Sequence, residues 1–276
     1  MRNSESRHEV AGGFGPTAWF QNVCEGLDPL TRLGTILLFA ACLGLSACGG
    51  GSRPTGPTPT PTPAPTLSRT RFLAFGDSFT AGEITVPATT SLAPIAKLIV
   101  VPSASYPAVL QGRLQSTYPT QASSITVINS GEPNERILDG NQRFPGVFAS
   151  SRAEVVLIME GVNGLPLVGP DISAGVMRIM VQTAKTGGSR VFVGSMLPQV
   201  AGRPRANTPT SELVAYNTTL QAMSRQESVV YVDLYNGMIA EAATLIGSDG
   251  LHPTEAGYRR IADLFFAAIR QELETR

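Results

Sequence analysis

Beyond residue 68, short apolar runs alternate with longer stretches in which apolar and polar positions mix at helical spacing. Arg71 to Phe75, Ile125 to Asn129, Val155 to Met159, Arg190 to Val193 and Val229 to Val232 are rich in Val, Ile, Leu and Phe. Such near-continuous apolar runs suit strands covered on both faces, as in a parallel sheet. Helix candidates fall between and after them, at Tyr106 to Tyr118, Ile172 to Thr186, Glu212 to Gln226 and Thr254 to Glu272. In the second of these, Ile172, Val176, Ile179 and Met180 recur at the spacing of a helix lying on a sheet, and Thr186-Gly187-Gly188 supplies a stop. The alternation predicts a three-layer α/β/α sandwich with a five-stranded parallel sheet and right-handed crossovers. No internal repeat of fixed short period is visible.

The pattern ahead of residue 69 is different. Leu33 to Ala47 is an apolar stretch preceded by Arg32 and ending in small residues. It is shorter than the roughly 20 residues that cross a bilayer comfortably and suits the core of a signal peptide. Leu45-Ser46-Ala47-Cys48 resembles the lipobox of bacterial lipoproteins. That resemblance implies a diacylglyceryl group on Cys48 and cleavage just before it. Gly49-Gly50-Gly51 and the Pro/Thr alternation from Pro57 to Pro65 read as an extended spacer with no means of burying apolar area. The expected organisation is a leader and signal over 1–47, a tether over 48–68 and a folded domain over 69–276. On this reading the protein is exported and held at a bacterial cell envelope through lipidated Cys48. Gly49, not the aspartate linked to inner-membrane retention, favours the outer membrane or cell surface. Cys24 and Cys42 would leave with the leader, so the mature domain has no disulfide and rests on its core.

Charge narrows the partners. Lys plus Arg and Asp plus Glu number 21 each, and no basic run stands out, which argues against a nucleic-acid partner. Histidine narrows the chemistry further. Of two histidines, His8 lies in the leader, so a mature form keeps His252 alone, within Asp249-Gly250-Leu251-His252-Pro253. A zinc site is disfavoured without clustered imidazoles or thiolates, and neither a metal nor a cofactor is expected. Gly-x-Gly-x-x-Gly, a phosphate loop and the Gly-x-Ser-x-Gly elbow are absent around the candidate nucleophile, Ser78.

An open parallel sheet binds ligands outside the carboxyl ends of its strands. Gly76-Asp77-Ser78 is placed after the first strand, Asn129-Ser130-Gly131 after the second and Gly161-Val162-Asn163-Gly164 after the third, with Asp249 to His252 ahead of the last helix. A serine hydroxyl needs an imidazole to remove its proton, and a carboxylate three residues before His252 can fix the ring's tautomer from a tight turn. Asp233, ending the fifth strand, is the alternative acid.

These blocks, in this order, resemble the GDSL or SGNH family of serine esterases and lipases over Arg71 to Ile269. Phe75-Gly76-Asp77-Ser78-Phe79-Thr80-Ala81-Gly82 matches the first block, Asn129-Ser130-Gly131 part of the second, Gly161-Val162-Asn163 the third and Asp249 to Pro253 the last. The resemblance implies a flavodoxin-like fold, Ser78 as nucleophile, His252 as base and Asp249 as its orienting acid. It also implies an oxyanion hole made by the Ser78 N–H, a second-block N–H and the Asn163 amide. The family's later second-block glycine is here Asn134, the residue type that best tolerates positive φ after glycine. The family's third-block aspartate is here Gly164, a loss expected to loosen the loop that aims Asn163.

The implied activity is hydrolysis of carboxylic esters of short to medium acyl length. The alternatives are a carbohydrate O-deacetylase of the same fold and a catalytically silent module binding carbohydrate or lipid. The expected partner is a small-molecule, lipid or glycan ester. Met196 and Leu197 after the fourth strand, with the apolar insertion from Glu83 to Ser105, are the expected pocket lining.

Overall fold

The computed structural model describes residues 64–86 and 97–275. The leader, Cys48, most of the tether and residues 87–96 of the insertion lie outside the described residues. Strand β1 (Thr66–Leu67) comes first, upstream of the expected domain start, followed by β2 (Arg71–Gly76) and the single-turn helix α1 (Ser78–Ala81). Then come β3 (Glu83–Val86), β4 (Lys97–Val100), α2 (Tyr106–Thr117), β5 (Thr126–Gly131), α3 (Ile137–Ser151), β6 (Val155–Met159) and α4 (Leu165–Thr186). The chain continues through β7 (Arg190–Gly194), α5 (Thr210–Gln226), β8 (Val230–Val232), α6 (Leu234–Met238), α7 (Ala242–Leu245), α8 (Glu255–Leu273) and β9 (Glu274–Thr275).

The central sheet has the order β5-β2-β6-β7-β8 with all pairs parallel. This is the doubly wound order whose direction of travel reverses beside the first strand, here β2, and opens a crevice there. The apolar runs become strands because both faces are covered. All five residues of β6 are buried, and so are Phe72 to Phe75 of β2 and Val191 to Val193 of β7. Helices α2 and α8 pack together, with Tyr106 stacked on Phe265 at 5.2 Å, while α3, α4 and α5 pack in succession. The three-layer α/β/α sandwich with a five-stranded parallel sheet is therefore the fold of this chain.

Three elements differ from the sequence pattern. Helix α3 was not anticipated, because Gly140, Pro145 and Gly146 interrupt its composition. It forms all the same by burying Ile137 and Phe144, with Phe144 edge-on to Phe75 at 4.9 Å. Helix α4 begins seven residues before its expected start and kinks where Gly169 turns left-handed (φ 78°) ahead of Pro170. Strand β5 continues through Asn129-Ser130-Gly131, which pairs with β2 as far as Gly76 opposite Gly131, so this block ends the strand and does not follow it. In the insertion after the nucleophile turn the described residues include two strands, β3 and β4, which pair antiparallel. At the amino end of the sheet, β1 pairs antiparallel with β9.

Candidate active site

The turn that presents Ser78 is built by its neighbours. Gly76 lies so close to β6 that a Cβ there would sit 2.0 Å from the Met159 carbonyl oxygen. Asp77 caps α1, its Oδ1 accepting from the Phe79 N–H at 3.0 Å, and Gly82 in a left-handed conformation (φ 94°) ends the turn. Gly131 lets α1 rest on β5, since a Cβ there would lie 2.0 Å from the Ala81 nitrogen.

His252 is held by a comparable device on the other side. Gly250 is left-handed (φ 84°), and Asp249 Oδ1 accepts from the N–H groups of Leu251 (3.0 Å) and His252 (3.1 Å). The His252 carbonyl accepts from the Gly247 N–H at 2.7 Å. Thr254 then caps α8 by accepting from the Gly257 N–H. Asp249 Oδ2 lies 2.6 Å from His252 Nδ1, and His252 Nε2 lies 3.0 Å from Ser78 Oγ. All three side chains are buried. Burial alone would raise the Asp249 carboxyl, but the His252 hydrogen bond and the two backbone donors outweigh it and hold the group below its usual range. This arrangement can hold Nδ1 protonated and leave Nε2 free to receive the serine proton.

Asp233, the alternative acid, is spent elsewhere. Its Oδ1 accepts from the Asn236 N–H and its Oδ2 from the Asn236 side chain, capping α6.

Asn134 takes the left-handed conformation (φ 64°), as its residue type allows after the loss of glycine. The Asn163 amide donates to the Glu135 carbonyl oxygen at 3.0 Å, a contact that holds this side chain. Gly164 beside it packs against Ile137, where a Cβ would meet Cγ2 at 3.3 Å. Asn134, Asn163 and His252 share the wall of one cavity of about 240 Å3. Val162, Pro166, Pro204, Arg205, Asn207 and Leu251 complete it.

Met196 and Leu197 are not part of that wall. Both are buried in the core, where the Met196 backbone exchanges two hydrogen bonds with the Asn217 side chain. The buried Asn217 amide draws this segment inward, and the cavity beside His252 is more polar than the expected apolar lining.

Three acidic groups at the site, Glu83, Glu135 and Glu160, were not singled out from the sequence, and Asp77 adjoins them. Glu83 Oε2 lies 3.2 Å from His252 Nε2, so that nitrogen faces two oxygens. The only sequence signal for Glu83 is its place directly after Gly82. Beneath the strand ends, Asp77 is fully buried and its carboxyl is pushed up to about 7 by burial, against lowering by the Phe79 N–H and His252. Glu160, equally buried, is raised well above the usual carboxylate range by burial and by nearby Asp77 and Glu135. Glu135 in turn forms a two-point ion pair with Arg143 at 2.6 and 2.7 Å. Arg143 also donates to the Ser130 carbonyl and lies over the Phe75 ring at 4.2 Å. Each motif block thus carries an acid next to its functional residue: Asp77 beside Ser78, Glu135 beside Asn134, and Glu160 three residues before Asn163.

Comparison with known proteins agrees with this architecture. The model of the GDSL-like Lipase/Acylhydrolase family matches residues 74–260. No curated protein matches the chain. Among solved structures, a lipase/acylhydrolase from Enterococcus faecalis is 22% identical, with 74% of this chain and 97% of that one covered and a TM-score of 0.58. TesA is also 22% identical, with 72% and 98% covered and a TM-score of 0.55. A catalytic mutant of an acetylxylan esterase from Geobacillus stearothermophilus is 20% identical, with 74% and 94% covered and a TM-score of 0.57. At these identities the structures speak for the fold.

Proposed function

As the chain belongs to the GDSL-like lipase/acylhydrolase family, we propose that it hydrolyses carboxylic esters through an acyl-enzyme formed on Ser78. The observation that carries this reading is the chain of contacts from Ser78 Oγ through both ring nitrogens of His252 to Asp249, at 3.0 and 2.6 Å. As Ser78 Oγ bonds to the ester carbon, its proton passes to Nε2 and the carbonyl electrons move onto oxygen. The oxyanion is received by the Ser78 N–H, the Asn134 N–H and the Asn163 amide, which turns from the Glu135 carbonyl or uses its second hydrogen. Collapse breaks the bond to the alcohol, which leaves with the Nε2 proton. Water then repeats the sequence and releases the acid. Asp249 keeps Nδ1 protonated and steadies the imidazolium throughout.

An organophosphonate probe tests this directly. A single adduct on Ser78, lost in Ser78→Ala, is expected; an unlabelled serine in folded protein would make the chain a silent binding module.

The substrate is an ester of short acyl length. A small cavity walled by three asparagines and an arginine favours this over a long alkyl chain. The same polar wall favours, as a second reading, removal of acetyl groups from a carbohydrate, the substrate class named for the acetylxylan esterase of similar fold. A chain-length series of aryl esters beside an acetylated xylan separates the two. Turnover of acetyl to butyryl aryl esters supports the first, and turnover confined to the glycan supports the second.

The protein works at the cell envelope, tethered through Cys48 and the Pro/Thr spacer. This rests on the sequence of residues 33–65. Incorporation of labelled palmitate that disappears in Cys48→Ser, with the protein in the outer-membrane fraction, is the expected result.

A further inference from the structure

Among the described residues that line the cavity beside His252, Arg205 is the one permanently charged side chain, and its nearest acid, Asp249, is reached only at 3.9 Å. Arg205 lies in the 195–209 segment between β7 and α5, and this segment is fastened to the histidine turn. The Arg205 N–H donates to the Asp249 carbonyl at 2.8 Å, the Val200 N–H donates to the Gly250 carbonyl at 2.9 Å, and Arg203 reaches the Ile246 and Gly247 carbonyls. Gly250 has no Cβ where one would meet the Arg203 side chain at 2.5 Å. The backbone of Arg205 is therefore fixed relative to His252.

Its guanidinium is not used up by that fixation. Arg205 Nε is 3.9 Å from Asp249 Oδ2, beyond hydrogen-bonding reach, and Asp249 already accepts from two backbone N–H groups and from His252. Nε is buried without a hydrogen-bond acceptor among the described residues, while 40% of the side chain remains exposed. Arg205 lines the cavity together with Asn163, Asn207 and His252, and no Asp or Glu is among the described residues that line it. A planar cation with unsatisfied donors beside neutral amides is the chemistry that recognises a carboxylate or phosphate.

We propose that Arg205 is a specificity-determining residue that selects esters bearing an anionic group, a carboxylate or phosphate, within a few bonds of the scissile carbonyl. This rests on the reading of Ser78, His252 and Asp249 as the hydrolytic centre. The cavity is lined by Asn134, Asn163 and His252 as well as by Arg205, so the anion sits on the acyl or on the alcohol side, and the test has an arm for each.

The acyl arm compares mono-4-nitrophenyl succinate with 4-nitrophenyl butyrate. The alcohol arm compares 4-acetoxybenzoate with its methyl ester, and 4-acetoxyphenyl phosphate with 4-acetoxyphenyl methyl ether. The readout is the ratio of kcat/KM for the anionic member to that for the neutral one, which cancels any effect of Arg205 on catalysis through Asp249. A preference for the anionic member of about tenfold is expected in at least one arm, the low end for a charge-assisted contact because the guanidinium is partly open to water. Arg205→Gln should bring the ratio to about one or below, Arg205→Lys should restore part of it, and added salt should shrink it in the parent protein alone. Equal hydrolysis of both members in every arm, or a preference that survives Arg205→Gln, overturns the assignment. Absence of hydrolysis in every arm would instead point to failure of the hydrolytic reading beneath it, which the labelling of Ser78 decides independently.

Discussion

Replacing Asp249 by asparagine disturbs the proposed catalytic chain without changing its shape. Both carboxyl oxygens are committed, Oδ1 to the N–H groups of Leu251 and His252 and Oδ2 to His252 Nδ1 at 2.6 Å. An asparagine keeps its carbonyl oxygen on the two backbone donors, since the opposite orientation would set an NH2 group against both. The amide NH2 then faces Nδ1, which must offer its lone pair, and the ring proton moves to Nε2. A protonated Nε2 can donate to Glu83 Oε2, 3.2 Å away, but it cannot accept the proton of Ser78. The expected loss in kcat is about 10³–10⁴-fold, the cost of the wrong tautomer, or about 4–5.5 kcal/mol in the barrier. Steady-state turnover of an aryl ester at saturating concentration, with thermal unfolding measured alongside, is the assay. Asp233→Asn is the control, since among the described residues the Asp233 carboxylate bonds to Asn236 alone and asparagine caps a helix about as well. A folded Asp249→Asn protein that keeps more than about a tenth of the parent kcat would refute the tautomer argument.

Asn163→Ala should lower kcat on the order of hundredfold, as loss of one oxyanion donor does, with a melting temperature close to the parent's; unchanged turnover would remove Asn163 from the oxyanion hole. Asp77 gives stability a pH dependence, because burial raises its carboxyl from 3.8 to about 7. The native state then holds a proton that the unfolded chain releases, so stability falls as pH rises through that window and the loss is complete above it. Calorimetric melting of Asp77→Asn across the same window should show a shallower decline, and an identical slope would mean that Asp77 is not the group responsible. Gly131→Ala puts a Cβ 2.0 Å from the Ala81 nitrogen and 2.5 Å from the Thr80 carbonyl carbon. It should cost about 1–3 kcal/mol in urea unfolding, as overpacking does, and lower turnover by displacing α1; a neutral result in both would show that α1 can lift from β5 freely.

How far the sequence could be read follows from burial. Strands β2, β6 and β7 were legible because residues such as Val155 to Met159 are covered on both faces, which leaves a continuous apolar run. Ser78, Asp249 and His252 were legible because each lies in a short run whose turn chemistry is local, with an acid accepting from N–H groups two or three residues on. Helix α3 was hidden by Gly140, Pro145 and Gly146, residues tolerated only because Phe144 and Ile137 find the core. The early start of α4 was masked by Pro166, Gly169 and Pro170. Met196 and Leu197 were misplaced because apolarity alone does not distinguish a pocket wall from the core; the partner that draws them inward, Asn217, lies 21 residues on from Met196. Glu83 and Arg205 meet the histidine turn across long stretches of chain, and neither belongs to a motif, so their proximity is a property of the fold alone.

The pairing of β1 with β9 sets Leu67 opposite Glu274, so the two ends of the described domain leave side by side, at the pole of the sheet away from Ser78 and His252. The domain is in effect a cassette with both wires on one side. Its termini could be ligated to each other, or spliced into a surface loop of a host protein, without rebuilding the rim that carries Ser78 and His252. A pull along the chain ahead of Ala64 would first unzip a two-residue ladder, sparing the turn that aims the imidazole.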